Sequence, residues 1–262
     1  SKTHCAKTGE MDAILLFFLV SSMYLLILSE KNPRLLLASS AVMGLASLTK
    51  NFAGFLPFGI GLLYQLVSGK WRNYSAMRII QSILLFLTIS SGWIIAMMLT
   101  HKHAFLNEFF IQQVYNRAVS TDYSIGVSEA QSLTGGIIFI GKTILKGFHP
   151  WSLLLPLCLV WALFQIPHWR KDGRILLLIW LVSFGTVLLL FKNKLHWYVL
   201  PIYPAAAILT GKFFTDAFSE ARINWKNTSS CVLLFCGFFL LIPNYNYNIF
   251  TLRAIDSKVS TL

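Results

Sequence analysis

Charged residues are scarce in this 262-residue chain, and acidic ones are the scarcest. Asp, Glu, Lys and Arg together make up 12% of the residues, against about 25% in an average soluble domain, while 56% are hydrophobic. A soluble core of this length does not need so much apolar surface. The sequence therefore predicts an integral membrane protein rather than a soluble one.

The ten acidic residues are outnumbered by 22 basic ones, which gives a net charge of +12. In a soluble chain this excess would suggest a nucleic-acid partner. Here the basic residues fall in short segments between apolar runs, where membrane topology accounts for them. We therefore expect a membrane environment and no nucleic-acid partner.

Cysteine is also rare, with four residues in the chain. Their positions show neither a disulfide framework nor the spacing of a metal site, and three lie inside apolar runs, where a thiol behaves as a small hydrophobe. His101 and His103 resemble a metal pair only weakly, so we predict no cofactor, with a divalent metal as the unsupported alternative. The chain also begins without Met and without a signal segment, and we expect an upstream portion to be missing.

Long apolar runs are what the sequence has in abundance. They predict an all-α integral membrane protein with about eight transmembrane helices, and the absence of a repeat or domain boundary predicts one polytopic domain over residues 1–262. Several runs are shorter than the roughly 20 residues that cross a bilayer, so the sequence does not fix the residues at which each helix begins and ends. The runs are 13–28, 35–48, 52–67, 79–99, 151–166, 175–191, 197–214 and 231–242.

Residues 133–148 decide how the later loops are oriented. Their apolar core is short and is interrupted by Lys142 and Lys146, which favours an interfacial amphipathic helix over a span. We therefore predict that 100–150 is one long outer-face loop carrying interfacial helices. The basic loops at 31–34, 70–78, 170–174 and 212–226 then fall on one side, which we assign to the cytoplasm.

The opposite face collects charges of both signs, including six of the ten acidic residues. This mixture of charges predicts a functional site, and the alternative is an ordinary solvated surface.

Lys50 lies in a three-residue turn at 49–51, where the positive-inside rule gives no reason for a lysine. An ammonium at headgroup depth is suited to binding a phosphodiester ligand. The competing interpretation is that the Lys50 side chain extends to the phosphate groups of ordinary membrane lipid. Asp12 precedes the first span, as a helix-capping residue or as a carboxylate that binds a sugar or hydroxyl.

Two further outer segments carry candidate groups. Residues 192–204 place two lysines, His196, aromatics and prolines between apolar runs, which predicts a hairpin at the bilayer surface. The long loop contains Glu108, Gln113 and Arg117, and an arginine makes forked contacts to phosphate oxygens.

These segments together resemble the polyprenyl-phosphate-dependent glycosyltransferases of the GT-C superfamily. That group includes bacterial aminoarabinose transferases acting on lipid A and protein O-mannosyltransferase-like proteins. The resemblance covers almost the whole chain, and its motifs occur in the family's order. They are KTGEMD at 7–12, GLASLTK at 44–50, Trp93 with residues 104–117, PWSLLLP at 150–156 and KLHWYVLPIYP at 194–204.

The resemblance implies a site on the periplasmic face of a bacterial inner membrane. The donor would be a sugar on a polyprenyl phosphate, and the acceptor a hydroxyl of lipid A, another glycan, a lipid or a protein. Lys50, Arg117 and Lys194 would bind the donor phosphate, and Asp12 would shape the sugar or acceptor pocket. The supporting residues implied are Glu10, Glu108, Gln113, His196 and Tyr198.

The chain departs from the family pattern in three places. The family's catalytic aspartate would lie upstream of residue 1, so we expect this portion alone to be inactive. Gln112 and Gln113 stand where relatives often carry histidine, and Asn51-Phe52 replaces Gly-Pro.

Two other functions compete with a glycosyltransferase. The first alternative is a transporter or flippase of lipid-linked sugars, and the second is a non-catalytic membrane scaffold. Charges gathered at one face favour surface chemistry over transport.

Overall fold

The computed structural model describes residues 11–109, 111, 132–191 and 194–220. Every regular element in these ranges is helical, as the composition predicted. The α-helices are α1 Met11–Ser29, α2 Leu35–Thr49, α3 Asn51–Ser68, α4 Ala76–Phe105, α5 Leu133–Gly147, α6 Leu155–Phe164, α7 Ile166–Asp172, α8 Ile175–Leu190 and α9 Tyr203–Glu220. Short 3₁₀ helices occupy Lys70–Asn73, Trp151–Leu153 and His196–Ile202.

Two of these helices, α1 and the stretch Ala76–Lys102 of α4, are long and apolar enough to cross a membrane by length and composition. Helices α2, α3, α6 and α8 are shorter apolar helices. The predicted run at 231–242 lies outside the described residues. The all-helical class is therefore confirmed, while the number of eight spans stays a prediction.

The predicted run 151–166 is not one continuous helix. Its start is a 3₁₀ turn, α6 covers only ten residues, and the chain turns at Gln165 before α7 begins. Pro156 and Pro167 lie in the first turns of α6 and α7, where a missing N–H is tolerated. Proline cannot supply the hydrogen bond that a continuous helix needs, so the run divides at these positions.

Helices α1 to α4 pack closely because small residues lie where they meet. The Ser39 hydroxyl on α2 donates to the Ser22 carbonyl on α1 at 2.8 Å. A Cβ on Gly44 of α2 would lie 2.8 Å from the side chain of Ile89 on α4, so only glycine allows this approach. The outward surfaces carry exposed apolar side chains on α1, α4 and α8, such as Phe17, Leu84 and Val182. Such a surface suits surrounding lipid.

The basic loops meet at one end of the helices, which we call the basic end. Lys70 forms an ion pair with Glu30, which follows α1. The Arg170 Nε donates to the Val67 carbonyl at 2.6 Å, which joins α7 to the end of α3. Asp216 of α9 pairs with Lys212 and lies 3.9 Å from Arg174 Nη1. The predicted grouping of these loops is confirmed up to residue 220, and its assignment to the cytoplasm stays a prediction.

The chain reverses at the opposite end of α4. His101 has non-helical backbone angles (φ −132°, ψ 39°). The rings of Phe105 and Phe109 each lie 5.4 Å from the ring of Trp93. In a straight helix residues 93 and 105 would be about 18 Å apart along the axis, so the segment after His101 folds back on α4.

Helix α5 packs along the same end as this reversal. Its buried stripe of Gly136, Phe139 and Thr143 repeats at helical spacing, and Ser132 caps its start by accepting from the Gly135 amide at 2.9 Å. Thr143 contacts His196, so the C-terminal half of α5 lies against the segment between α8 and α9. This geometry is compatible with the predicted interfacial helix.

Candidate functional site

A single residue, Lys50, connects helix α2 to helix α3. Helix α2 ends at Thr49 and α3 begins at Asn51, so the predicted three-residue turn is a single residue with φ −155° and ψ 86°. This reversal brings the helices very close, because a Cβ on Gly54 would lie 2.6 Å from the Cα of Ser47. Glycine at position 54 therefore permits the sharp turn that places Lys50 beyond both helix ends.

The Lys50 ammonium forms an ion pair with Asp12, 38 positions earlier in the chain. Asp12 lies in the first turn of α1, where the helix dipole favours a carboxylate, and its side chain is 9% exposed. The sequence left capping and ligand binding open for this residue. The structure gives it a cationic partner, so one function of Asp12 is to hold the lysine in place.

Tyr198 completes the arrangement from the other half of the chain. The Lys50 Nζ lies 4.5 Å from the centroid of its ring, which is a cation–π contact. The 3₁₀ helix that carries Tyr198 is fixed to α8, because Trp180 Nε1 donates to the Pro201 carbonyl at 2.8 Å and Val199 is fully buried. We call Asp12, Lys50 and Tyr198 the Lys50 cluster.

Lys194 lies on the segment that leads into this 3₁₀ helix. It is 2% exposed, and its Nζ donates to the Phe191 carbonyl at 2.6 Å, at the C-terminal cap of α8. The negative end of a helix dipole favours a cation there. Burial lowers the pKa of the Lys194 ammonium below its ordinary value of 10.5. Its predicted contact with a phosphate stays a prediction.

His196 connects the same segment to α5. Its Nδ1 lies 3.1 Å from the Thr143 hydroxyl, and its ring lies 4.7 Å from that of Phe139. Burial, and then the nearby Lys146 cation, lower the pKa of the imidazole below 6.5. These contacts give His196 a structural role between α5 and the hairpin.

The remaining sequence candidates lie elsewhere. Glu108 follows α4 with an exposed side chain and forms no ion pair among the described residues. Glu10, Gln113 and Arg117 lie outside the described residues. In the part of the chain that the structure describes, no three His, Cys, Asp or Glu side chains lie close enough to hold a metal ion.

A second charged cluster, which the sequence did not predict, lies at the basic end. Glu30 accepts hydrogen bonds from the Tyr64 hydroxyl and from Lys70 Nζ, 34 and 40 positions away. Gly173, with φ +90°, lies against it, since an added Cβ would be 2.6 Å from the Tyr64 oxygen. We call Glu30, Tyr64 and Lys70 the Lys70 cluster. Its one sequence signal was a single acidic residue beside a basic loop.

Comparison of the sequence with known proteins identifies relatives that are themselves uncharacterised. No protein-family model matches the chain. Two uncharacterised proteins of Aquifex aeolicus (strain VF5) are 30% identical over 219 residues and 29% identical over 221. The alignments cover 81% and 82% of this chain but 39% and 45% of the relatives. The chain therefore spans less than half the length of the curated relatives it matches.

A solved structure matches the helical arrangement. The crystal structure of ArnT from Cupriavidus metallidurans bound to undecaprenyl phosphate superposes with a TM-score of 0.58 and 23% identity. The match covers 87% of this chain and 40% of the ArnT chain. The chain shares its fold with part of ArnT. The helical fold expected from the sequence resemblance is thereby confirmed, while its eight spans and its outer-face loop stay predictions.

Proposed function

We propose that the chain is part of a membrane glycosyltransferase that moves a sugar from a polyprenyl-phosphate donor to an acceptor hydroxyl. The reaction would occur at the periplasmic face of a bacterial inner membrane. The observation that carries the proposal is the Lys50 cluster, an ammonium held at one end of an apolar helical bundle. The fold shared with a structure that holds undecaprenyl phosphate supports it.

The geometry of the cluster suits an anionic ligand. The Lys50 side chain is 25% exposed, so a phosphate can reach its ammonium from solvent or from the headgroup layer. The carboxylate of Asp12 and the ring of Tyr198 fix the lysine side chain before a ligand arrives, which reduces the entropy lost on binding. A phosphate oxygen would add to these contacts or replace the carboxylate.

The same cation would assist the transfer step. The acceptor oxygen attacks the anomeric carbon, the bond from that carbon to the phosphate oxygen breaks, and the polyprenyl phosphate leaves with the bonding electron pair. Negative charge develops on the leaving phosphate, and an ammonium already in place stabilises it. Asp12 would shape the sugar or acceptor pocket beside it, and Arg117 and Lys194 would add positive charge around the phosphate. The acceptor proton requires a general base, which we expect to be a carboxylate.

The decisive experiment is Lys50→Ala in the full-length protein, with undecaprenyl phosphate binding and sugar transfer measured together. Loss of one charge-assisted contact of about 2–3 kcal/mol predicts roughly 30- to 150-fold weaker binding. Lys102→Ala is the matched control, because Lys102 is an exposed cation near the same end. Equal donor affinity in Lys50→Ala and the wild type would refute the phosphate role.

The membrane side is tested separately by cysteine labelling with an impermeant reagent. Single cysteines at positions 50 and 102 should react from the periplasm, whereas one at position 32, in the loop between α1 and α2, should react only after the membrane is permeabilised. Labelling of positions 50 and 32 from the same side would contradict the proposed topology.

A further inference from the structure

A cavity of about 190 Å³ lies among α1 to α4 near the basic end. The residues around it come from the last turns of α1 and α3 and from the first turns of α2 and α4, including Leu26, Leu36 and Ile79. The Lys50 cluster lies at the other ends of α1, α2 and α3. The cavity is therefore separate from the site proposed above.

One polar side chain in the cavity wall lacks a partner. Gln65 of α3 is 8% exposed, and neither its Nε2 nor its Oε1 has a hydrogen-bond partner among the described residues. A buried amide without partners is unfavourable, so its presence in an otherwise largely apolar wall points to a ligand with a polar group. The ligand must combine an apolar body with at least one hydrogen-bond acceptor or donor.

The cavity opens towards the surface that faces lipid. Leu62, Leu66 and Ile83 line it and are also exposed on the outer faces of α3 and α4. Trp71 lines it as well, and tryptophan is favoured at the boundary between hydrocarbon and headgroups. Gln65 is one turn from the end of α3, about 5 Å along the axis. With the end of α3 at the headgroup boundary, Gln65 would lie just below headgroup level, at the depth of the ester groups of a phospholipid.

Positive charge flanks this opening. Arg72 follows Trp71, and its guanidinium lies 5.3 Å from that ring. Arg78 precedes Ile79, which lines the cavity. Arginine binds phosphate oxygens in a forked geometry, so a phosphate headgroup complements this rim.

We propose that this cavity binds a glycerophospholipid from the surrounding leaflet. Part of one acyl chain fills the apolar space, the ester carbonyl accepts a hydrogen bond from Gln65 Nε2, and the phosphate lies beside Arg72 and Arg78. An apolar cavity of about 150 Å³ accommodates benzene, so the space here suits a segment of one chain rather than a whole lipid. The proposal does not depend on the glycosyltransferase function.

The test is lipid retention by the purified full-length protein, measured by native mass spectrometry after delipidation and addition of phosphatidylglycerol. The wild type should bind one tightly held lipid. Gln65→Leu keeps the side-chain size and removes both unpartnered amide atoms, so the protein should fold while its lipid affinity falls about two- to tenfold, as for one lost hydrogen bond. Gln81→Leu, at an exposed position of α4, is the matched control and should bind normally.

A second pair of variants tests the opening. Ile83→Trp enlarges a residue at the mouth and should reduce lipid retention, whereas Ile80→Trp, exposed but away from the cavity, should not. Equal retention in Gln65→Leu and the wild type would overturn the proposal. So would palmitate binding as tightly as phosphatidylglycerol, since the headgroup would then contribute nothing. Failure of the delipidated wild type to bind phosphatidylglycerol would also overturn it.

Discussion

The Lys50 and Lys70 clusters contain the same three chemical groups at opposite ends of the helices. Each combines a carboxylate, an ammonium and a phenol. In the Lys70 cluster the phenol hydroxyl donates to the carboxylate, so both partners bond to Glu30. Both ammonium groups also lie over a phenol ring, Lys50 at 4.5 Å from the Tyr198 centroid and Lys70 at 6.0 Å from the Tyr64 centroid.

A difference in exposure separates the enclosed Lys70 cluster from the proposed site at Lys50. The Lys70 side chain is 12% exposed, and the backbone at Gly173 lies against the cluster. The Lys50 side chain is 25% exposed, so an anion can reach its ammonium. The comparison teaches that the exposure of the ammonium, rather than the presence of the same three groups, distinguishes a cation that can bind a ligand from one that is enclosed.

Replacing the two carboxylates should give the largest effects and the clearest contrast. Asp12→Asn should reduce sugar transfer by about 100-fold, because Lys50 loses the carboxylate that holds it in place beside the proposed reaction, and should lower stability less than Glu30→Gln because Lys50 is the more exposed lysine. Glu30→Gln should leave transfer per folded molecule unchanged but lower the free energy of unfolding by about 2 kcal/mol, since Lys70 keeps its charge and loses its partner. Transfer assays and thermal unfolding in the same detergent measure both. The contrast disappears if Glu30→Gln also reduces transfer per folded molecule.

Two glycines with positive φ test how tightly the Lys70 cluster is closed. Gly173→Ala places a Cβ 2.6 Å from the Tyr64 oxygen and 2.9 Å from Lys70 Nζ, at φ +90°. We expect a loss of about 3 kcal/mol in unfolding free energy, from backbone strain and the clash together. Gly69→Ala is the matched control, at φ +72° with no atom within 4 Å, and should lose about 1 kcal/mol. Equal losses of unfolding free energy in the two variants would mean that the side chains of the Lys70 cluster move to accommodate the added Cβ.

The tyrosines should respond differently to loss of the hydroxyl and loss of the ring. Tyr64→Phe removes a hydrogen bond to a carboxylate and should cost about 2 kcal/mol of stability. Tyr198→Phe keeps the ring beside Lys50, so undecaprenyl phosphate affinity should change less than about twofold, whereas Tyr198→Leu should weaken it about three- to fivefold. Equal affinities of the Phe and Leu variants would exclude a role for the ring.

The smallest effect should come from pH at His196. Its folded-state pKa is lowered by burial and by Lys146, so the unfolded chain takes up the proton first as pH falls. Stability should therefore be intact above pH 6.5 and decrease as pH falls through the folded-state pKa. Melting temperatures measured across this range should fall less in His196→Gln than in the wild type. An identical pH dependence in the variant would remove His196 as the cause.

The helices were predictable because hydropathy along the chain is a local signal. Helices α1, α2 and α8 begin and end within two residues of the predicted runs. The run at 151–166 was less predictable, because it joins 3₁₀ and α-helical pieces where prolines withhold backbone donors. Apolar composition alone does not distinguish such a broken segment from a single span.

The cation at position 50 could be singled out from sequence, because a lysine in a short outer turn lacks a topological reason. The residues that contact Lys50 could not be predicted from the sequence. Asp12 is 38 positions away and Tyr198 comes from the opposite half of the chain, so their contacts depend on how the helices pack. Gln65 carried no signal either, since a lone glutamine in an apolar helix does not reveal whether its amide is paired.

The sequence by itself determined an all-helical membrane chain, its loop grouping and a candidate cation, because each follows from local hydropathy and charge. Only the tertiary structure decided that Lys50 lies between a carboxylate and a ring, whereas Lys70 is enclosed beside Glu30. The physical reason is that ion pairs, cation–π contacts and cavities depend on distances of a few ångströms between separate helices. Those distances are set by small residues such as Gly54 and Gly173, which allow backbones to approach.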